Sequence, residues 1–448
     1  MEEKFRLRNI FGNSMWQISE KILTMILSVV VTSLVARYLG TEQYGLVNYV
    51  ISVVMLFTTF STLGMEKITI NDIVDSKYKK EDILGTSFVI RIVGGIILII
   101  ISQITLYVLT DGDKISQLLG IIMGTCMLFK AFEVIEYYLQ SQMNLKMVSI
   151  IRFATAIATA IAKIIVVYCD LGVIGFTCTY LVDAVVAGFL FFIWYKKNIK
   201  QKLKIDVKYA KSLLSRCWYI AVAGIMTTIY MRIDQVMLGT MLESKAENGI
   251  YSAAVRIAEM WYFVPLAIAA SFQPVIMKRK NEENEEEYKK NMQRLYDFVA
   301  IIGIAFGIII SVFGKLIVNI LYGTEYLKAA KILNVSVWAG LFATLGSARS
   351  IWLVAENKQK YTLVYTSVGC IVNVILNCIL IPEQGAFGAA IATLMAQLIA
   401  NVFALMPFRE TRESSIMILK SIFINKTCID FARYIEEKVK RKGEKIWK

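Results

Sequence analysis

Residues 35–45 read Val35-Ala36-Arg37-Tyr38-Leu39-Gly40-Thr41-Glu42-Gln43-Tyr44-Gly45, a short polar turn between two long apolar blocks at 14–36 and 44–64. Each block has the length that lets a helix cross a bilayer. In hydrocarbon every backbone N–H and C=O must be paired within the segment, so a crossing needs roughly 20 apolar residues in a helix. A pattern of the same kind returns later. Leu238-Gly239-Thr240 closes another apolar block and Gly249 opens the next. Gly172-Val173-Ile174-Gly175 and Gly385-Ala386-Phe387-Gly388 form a second matched pair.

Working outward from these turns gives twelve predicted spans. They run near 14–36, 44–64, 84–109, 118–138, 149–168, 172–194, 213–241, 250–274, 296–321, 330–354, 361–381 and 385–408. Composition agrees: 57% of the 448 residues are hydrophobic and 19% are charged, an apolar surplus over soluble domains. The ten-residue alternation of an outer-membrane barrel is absent. The matched turns fall at equivalent places in two six-span halves. Because six is even, the halves share one orientation, a transporter architecture of parallel repeats. The expected organisation is a six-helix lobe at 1–194, a basic linker at 195–212 acting as a hinge, a second six-helix lobe at 213–408, and a basic amphipathic tail at 409–448. Within the tail, Ile429, Ala432, Ile435 and Val439 recur at helical spacing and predict an interfacial helix.

Charge tests the count. With both ends cytoplasmic, the inner segments carry 36 Lys and Arg and the outer ones only five: Arg37, Lys114, Lys245, Lys328 and Lys331. Lys and Arg are retained inside during insertion, and one missed span would invert half of the pattern. The same dispersal explains the net charge of +14 without a nucleic-acid surface. The first residues lack a cleavable signal pattern. Seven cysteines form no CxxC pair, and the absence of histidine removes the commonest general base and metal ligand. A transporter is expected, not an enzyme, with no metal or cofactor.

Ionisable residues within spans are costly and mark function by default. Lys130 with Glu133, and Arg256 with Glu259, can neutralise each other at i, i+3. Lys21, Arg91, Lys163, Arg232 and Arg349 have no acid at i±3 or i±4. They need a partner from another helix, water or an anionic ligand, and are the candidate cavity residues. Glu20, Glu136, Asp183 and Asp234 are the carboxylates available to bridge them.

Three stretches carry a resemblance: 35–45 above; Arg232-Ile233-Asp234-Gln235-Val236-Met237-Leu238-Gly239 with Gly249-Ile250-Tyr251-Ser252-Ala253-Ala254; and Asn377–Pro382 with Gly385 to Thr393. The chain resembles the polysaccharide (Wzx-type) flippases of the MATE-like MOP exporter superfamily along essentially its whole length. The resemblance implies an all-α, V-shaped transporter of two six-helix lobes in the bacterial cytoplasmic membrane. Its implied substrate is an oligosaccharide on a polyprenyl diphosphate, flipped by alternating access for cell-surface polysaccharide synthesis. A proton or sodium gradient is the implied drive, with Glu20, Glu136, Asp183 and Asp234 as coupling carboxylates and none preferred. Membrane lipids and other polysaccharide-assembly proteins are the implied partners. A multidrug exporter of the same superfamily, and a membrane sugar polymerase or ligase, are the alternatives. The short outer connections argue against the latter.

Overall fold

A computed structural model describes residues 2–199 and 203–423, with side chains described at 16 and from 19 onward. The described chain is helical, and ten helices are long and apolar enough to cross a membrane. They are α1 (Ser19–Leu56), α2 (Lys80–Leu109), α3 (Lys114–Ser141), α4 (Leu145–Tyr168), α5 (Gly172–Asn198), α6 (Val207–Met241), α7 (Ala246–Asn281), α8 (Glu285–Tyr322), α9 (Ala329–Ala355) and α10 (Lys360–Phe403).

Two of the ten are divided by glycines. Gly40 within α1 has φ 71 and ψ 174, and Gly385 within α10 has φ 56 and ψ −134. Both values lie outside the helical region, and side chains with a Cβ avoid positive φ. At about 1.5 Å per residue, the 38 residues of α1 reach well beyond a ~30 Å hydrocarbon core. The turn predicted at 37–43 is thus a kink at a glycine, with helix on both sides. Other helices change pitch. A 3-10 turn interrupts α3 at Lys130–Glu133 and α7 at Met260–Tyr262, and α10 ends in π-helix at Ile399–Phe403.

The long charged connections are more ordered than their composition suggested. Residues 65–83 contain a helix, Glu66–Asp75. The charged stretch 275–295 is mostly helix, because α7 runs to Asn281 and α8 begins at Glu285. Acidic Glu285, Glu286 and Glu287 occupy the first turn of α8 and basic Lys278, Arg279 and Lys280 the last turn of α7, each opposing the helix dipole it faces.

The chain forms two compact units, residues 1–249 with 321–325, and 250–320 with 326–448. α6 falls in the first unit. The reason is in its side chains. Arg216 on α6 grips Asp72 of the Glu66–Asp75 helix through two hydrogen bonds of 2.8 and 2.6 Å, and Tyr209 donates to the same carboxylate at 3.0 Å. In the first unit Ile83, Leu84, Val134, Leu139, Phe191 and Leu213 share one core. In the second, Met292, Tyr296, Leu341, Leu345, Trp352 and Ile418 share another.

The outward faces are apolar too. Ile96, Ile100 and Ile104 on α2, and Ile308, Val312 and Leu316 on α8, are all about half exposed or more. Spaced four apart, each set forms one stripe, the inverse of a water-facing helix and the pattern expected against lipid. The Arg412–Ile422 helix, expected as a leaflet-surface segment, docks instead. Ser414, Met417, Ile418 and Ser421 are buried, and Ser414 Oγ lies 2.8 Å from Tyr296 Oη. The predicted helix at 429–439 lies outside the described residues.

Candidate functional site

The first unit concentrates charge where α2, α3 and α4 meet. Arg91 is 1% exposed. Its Nη1 donates to Tyr137 Oη at 2.8 Å and its Nη2 to Glu133 Oε2 at 2.9 Å. Arg152 on α4 donates to the other oxygen of Glu133 at 3.0 Å and also pairs with Glu136. Glu133 thereby bridges two arginines, and Gln140 donates to Glu136. The 3-10 turn at 130–133 changes the register of α3, and Glu133, expected to pair with Lys130, is directed to Arg91 and Arg152. The four charges balance, which is how a low-dielectric interior tolerates them. Arg91 is accordingly a tethered structural cation.

Above this network α4 presents one polar stripe: Arg152, Thr155, Thr159 and Lys163, at spacings of three and four. Thr159 Oγ1 donates to Asp183 Oδ1 at 3.1 Å. Lys163 is 5% exposed. Its Nζ donates to Thr32 Oγ1 at 3.0 Å and lies 5.8 and 5.4 Å from the ring centres of Phe176 and Tyr180, within cation–π range. Glu20 accepts from Thr24 at 3.4 Å, and Lys21 beside it is exposed. On α6 Asp234 is buried, whereas Arg232 is half-buried. Among the described residues the guanidinium of Arg232 has no hydrogen bond or ion pair.

Arg349 lies in the second unit and is fully buried. Its guanidinium donates to the backbone oxygens of Asn401 at 2.9 Å and Ala400 at 3.2 Å, and to Asn401 Oδ1. It also stacks 4.3 Å from the centre of Tyr365. Ala400 and Asn401 sit in the π-helical end of α10, where the regular α ladder is broken, so Arg349 supplies donors to carbonyls there. The five candidate cations therefore have unlike surroundings. Arg91 and Arg349 are tied into the fold, while Lys21, Lys163 and Arg232, all in the first unit, have the more open chemistry. Sequence spacing within single helices missed Arg152 and the Glu133 bridge, although the α4 stripe was there to be counted.

The repeated glycine turns meet within the first unit. A Cβ at Gly45 would lie 1.8 Å from the Lys245 backbone oxygen, and one at Gly249 would lie 2.1 Å from the Thr41 backbone oxygen. Thr41 and Lys245 each precede their glycine by four residues, so the contact is reciprocal. Glu42 reinforces it, accepting from Ser244 Oγ at 2.6 Å, Lys245 N at 2.8 Å and Ala246 N at 2.9 Å. It thereby caps the start of α7 with a negative charge. Glu325 accepts from Thr41 N at 2.9 Å.

Ten helices long and apolar enough to cross a membrane, two of them divided by glycines, define a multi-pass membrane fold. That fold is shared with an inward-closed structure of the lipid II flippase MurJ (TM-score 0.69, 18% identity, 94% of this chain and 93% of that one). It is shared equally with an inward-facing multidrug MATE transporter (TM-score 0.70, 13% identity, 90% and 98%). The chain belongs to the polysaccharide biosynthesis protein family, whose pattern matches residues 34–331. Among curated relatives it is 26% identical to the probable low-salt glycan biosynthesis flippase Agl15 of Haloferax volcanii over 50% of this chain and 47% of that protein. It is 22% identical to the capsular polysaccharide biosynthesis protein CapF of Staphylococcus aureus over 85% and 94%. The match spans about half the length of the first of these relatives.

Proposed function

We propose that this chain translocates polyprenyl-diphosphate-linked oligosaccharides across the cytoplasmic membrane for surface polysaccharide synthesis, by alternating access. The observation that carries this reading is the family match over residues 34–331. The relatives named as flippases and the fold shared with MurJ support the same reading. In this reading α1 and α10 each cross twice, at Gly40 and Gly385, giving twelve crossings in two six-helix lobes, 1–194 and 213–408. The excess of 36 inner Lys and Arg over five supports both termini being cytoplasmic. Lys163, Arg232 and Lys21 are the residues proposed to meet the diphosphate, Arg232 through paired hydrogen bonds and Lys163 and Lys21 as point charges. Glu20, Glu136, Asp183 and Asp234 remain the carboxylates for coupling to a proton or sodium gradient. Asp183 meets the polar stripe of α4 through Thr159, and Glu136 meets it through Arg152.

The likeness to a multidrug transporter keeps an exporter as the second reading. One experiment separates the two. In a flippase-null strain, the chain should restore surface polysaccharide and remove the accumulated lipid-linked intermediate, as identified by mass spectrometry. Drug efflux without loss of that intermediate would overturn the assignment.

A further inference from the structure

Residues 203–206 of the central linker lie outside helix and strand and lead into the start of α6. One edge of this segment is fixed, since Lys204 N donates to Glu81 O at 3.2 Å and Asp206 N donates to Thr86 Oγ1 at 2.9 Å. Gly85 permits the approach, because a Cβ there would lie 2.2 Å from the Lys204 oxygen. Asp206 then caps α6 by accepting from Lys208 N at 2.7 Å. Leu203, Ile205 and Val207 are 37, 64 and 78% exposed, a row of apolar side chains on an ordered backbone. Exposed Lys204, Lys208 and Lys211 accompany them, as do Lys77 and Lys79 from the neighbouring turn. Asp206 is occupied as a cap, and Glu81 and Asp82 lie in the first turn of α2.

We propose that residues 203–207 are an in-plane anchor in the anionic inner leaflet. The apolar row enters the acyl boundary and the surrounding lysines meet lipid phosphates. Apolar burial and phosphate attraction combine in interfacial segments of this kind. A protein partner is the competing occupant. The charge supports lipid, since basic side chains flank the apolar row. The proposal requires only membrane insertion with this end inside, and not the identity of the substrate.

The test uses the full chain in nanodiscs with all seven native cysteines replaced by serine. An environment-sensitive fluorophore is placed at Ile205→Cys, with Glu283→Cys as the water-facing comparison. The label at 205 should be quenched severalfold more strongly by brominated phospholipid than the label at 283, and resist iodide. Its emission should shift to the blue when phosphatidylglycerol is added to phosphatidylcholine. Changing Lys204, Lys208 and Lys211 to Gln should remove that lipid dependence while leaving bromine quenching largely in place. Iodide access at 205 equal to that at 283 would overturn the proposal. So would a dry label that appears only when cytosolic protein is added.

Discussion

Lys163 and Arg349 are both buried cations, yet their surroundings make opposite demands. Lys163 donates to one hydroxyl and lies against two rings. Arg349 completes the end of a helix. Arg349→Ala should therefore lower folded yield and thermal stability, at roughly 1–3 kcal/mol for each carbonyl left without a donor. Turnover per folded molecule should be retained, as read by a flipping assay normalised to monodisperse protein. Lys163→Met should do the reverse, with normal abundance and flipping reduced by an order of magnitude or more. Arg232→Ala should resemble Lys163→Met, and Arg232→Lys should keep part of the activity because it keeps the charge and loses only the paired donors. Unchanged turnover in both Lys163→Met and Arg232→Ala would remove them from the transport path.

At the scale of elements, the charged interior is built by bridging across helices. Glu133 serves Arg91 and Arg152 together, whereas Glu136 serves Arg152 alone among the arginines. Glu133→Gln should accordingly cost more melting temperature than Glu136→Gln, and equal losses would contradict the bridge. A loop in the second unit gives a pH test. Burial alone would raise the Glu356 carboxyl, but the hydrogen bond from Lys280 and the charges of Lys280 and Lys358 outweigh it and hold it below its ordinary 4.5. A carboxylate depressed in this way contributes stability above its unfolded value and loses it as pH falls through the folded one. Melting temperature should thus decline below about pH 4.5, and Glu356→Gln should flatten that decline. Hydropathy made the helices legible, and i±3 and i±4 spacing correctly identified Arg91 as a residue needing a partner from elsewhere. Neither could supply the partner, because Glu133 reaches Arg91 only after a 3-10 turn alters the register of α3. The same limit hid Arg349, whose acceptors are backbone oxygens exposed by a π turn.

For the whole molecule, orientation is the property most directly open to test. A cysteine at Glu243 should react with an impermeant thiol reagent from outside the cell, and one at Glu283 only after the membrane is opened. The opposite result would overturn both the orientation and the count of crossings. The glycine at the centre of the repeated turn is a second test. Gly45→Val places atoms where the Lys245 carbonyl lies, so it should separate 41–45 from 245–249 and raise the reactivity of a cysteine placed at Ser244. The apolar blocks, their breakers and the charge asymmetry were all readable from composition along the chain. The affiliation of α6 with the first unit was not, because it depends on Asp72, Tyr209 and Arg216 meeting across a large separation in sequence.

The meeting of the two glycine turns bears on descent as well as on mechanics. Thr41 touches Gly249 as Lys245 touches Gly45, so a half-turn about an axis between them exchanges the two contacts. Self-complementary patches of this kind are the signature of a twofold homodimer. A half-length polypeptide carrying one such turn would already have possessed the surface needed to pair with a second copy of itself in the same orientation. Joining the copies head to tail would then have required only a connecting segment on one side of the membrane. Glu42, three residues before Gly45, caps the other turn, whereas the position three residues before Gly249 is Ala246, which has no carboxylate to return the bond. The contact is thus reciprocal in its backbone and one-sided in its cap.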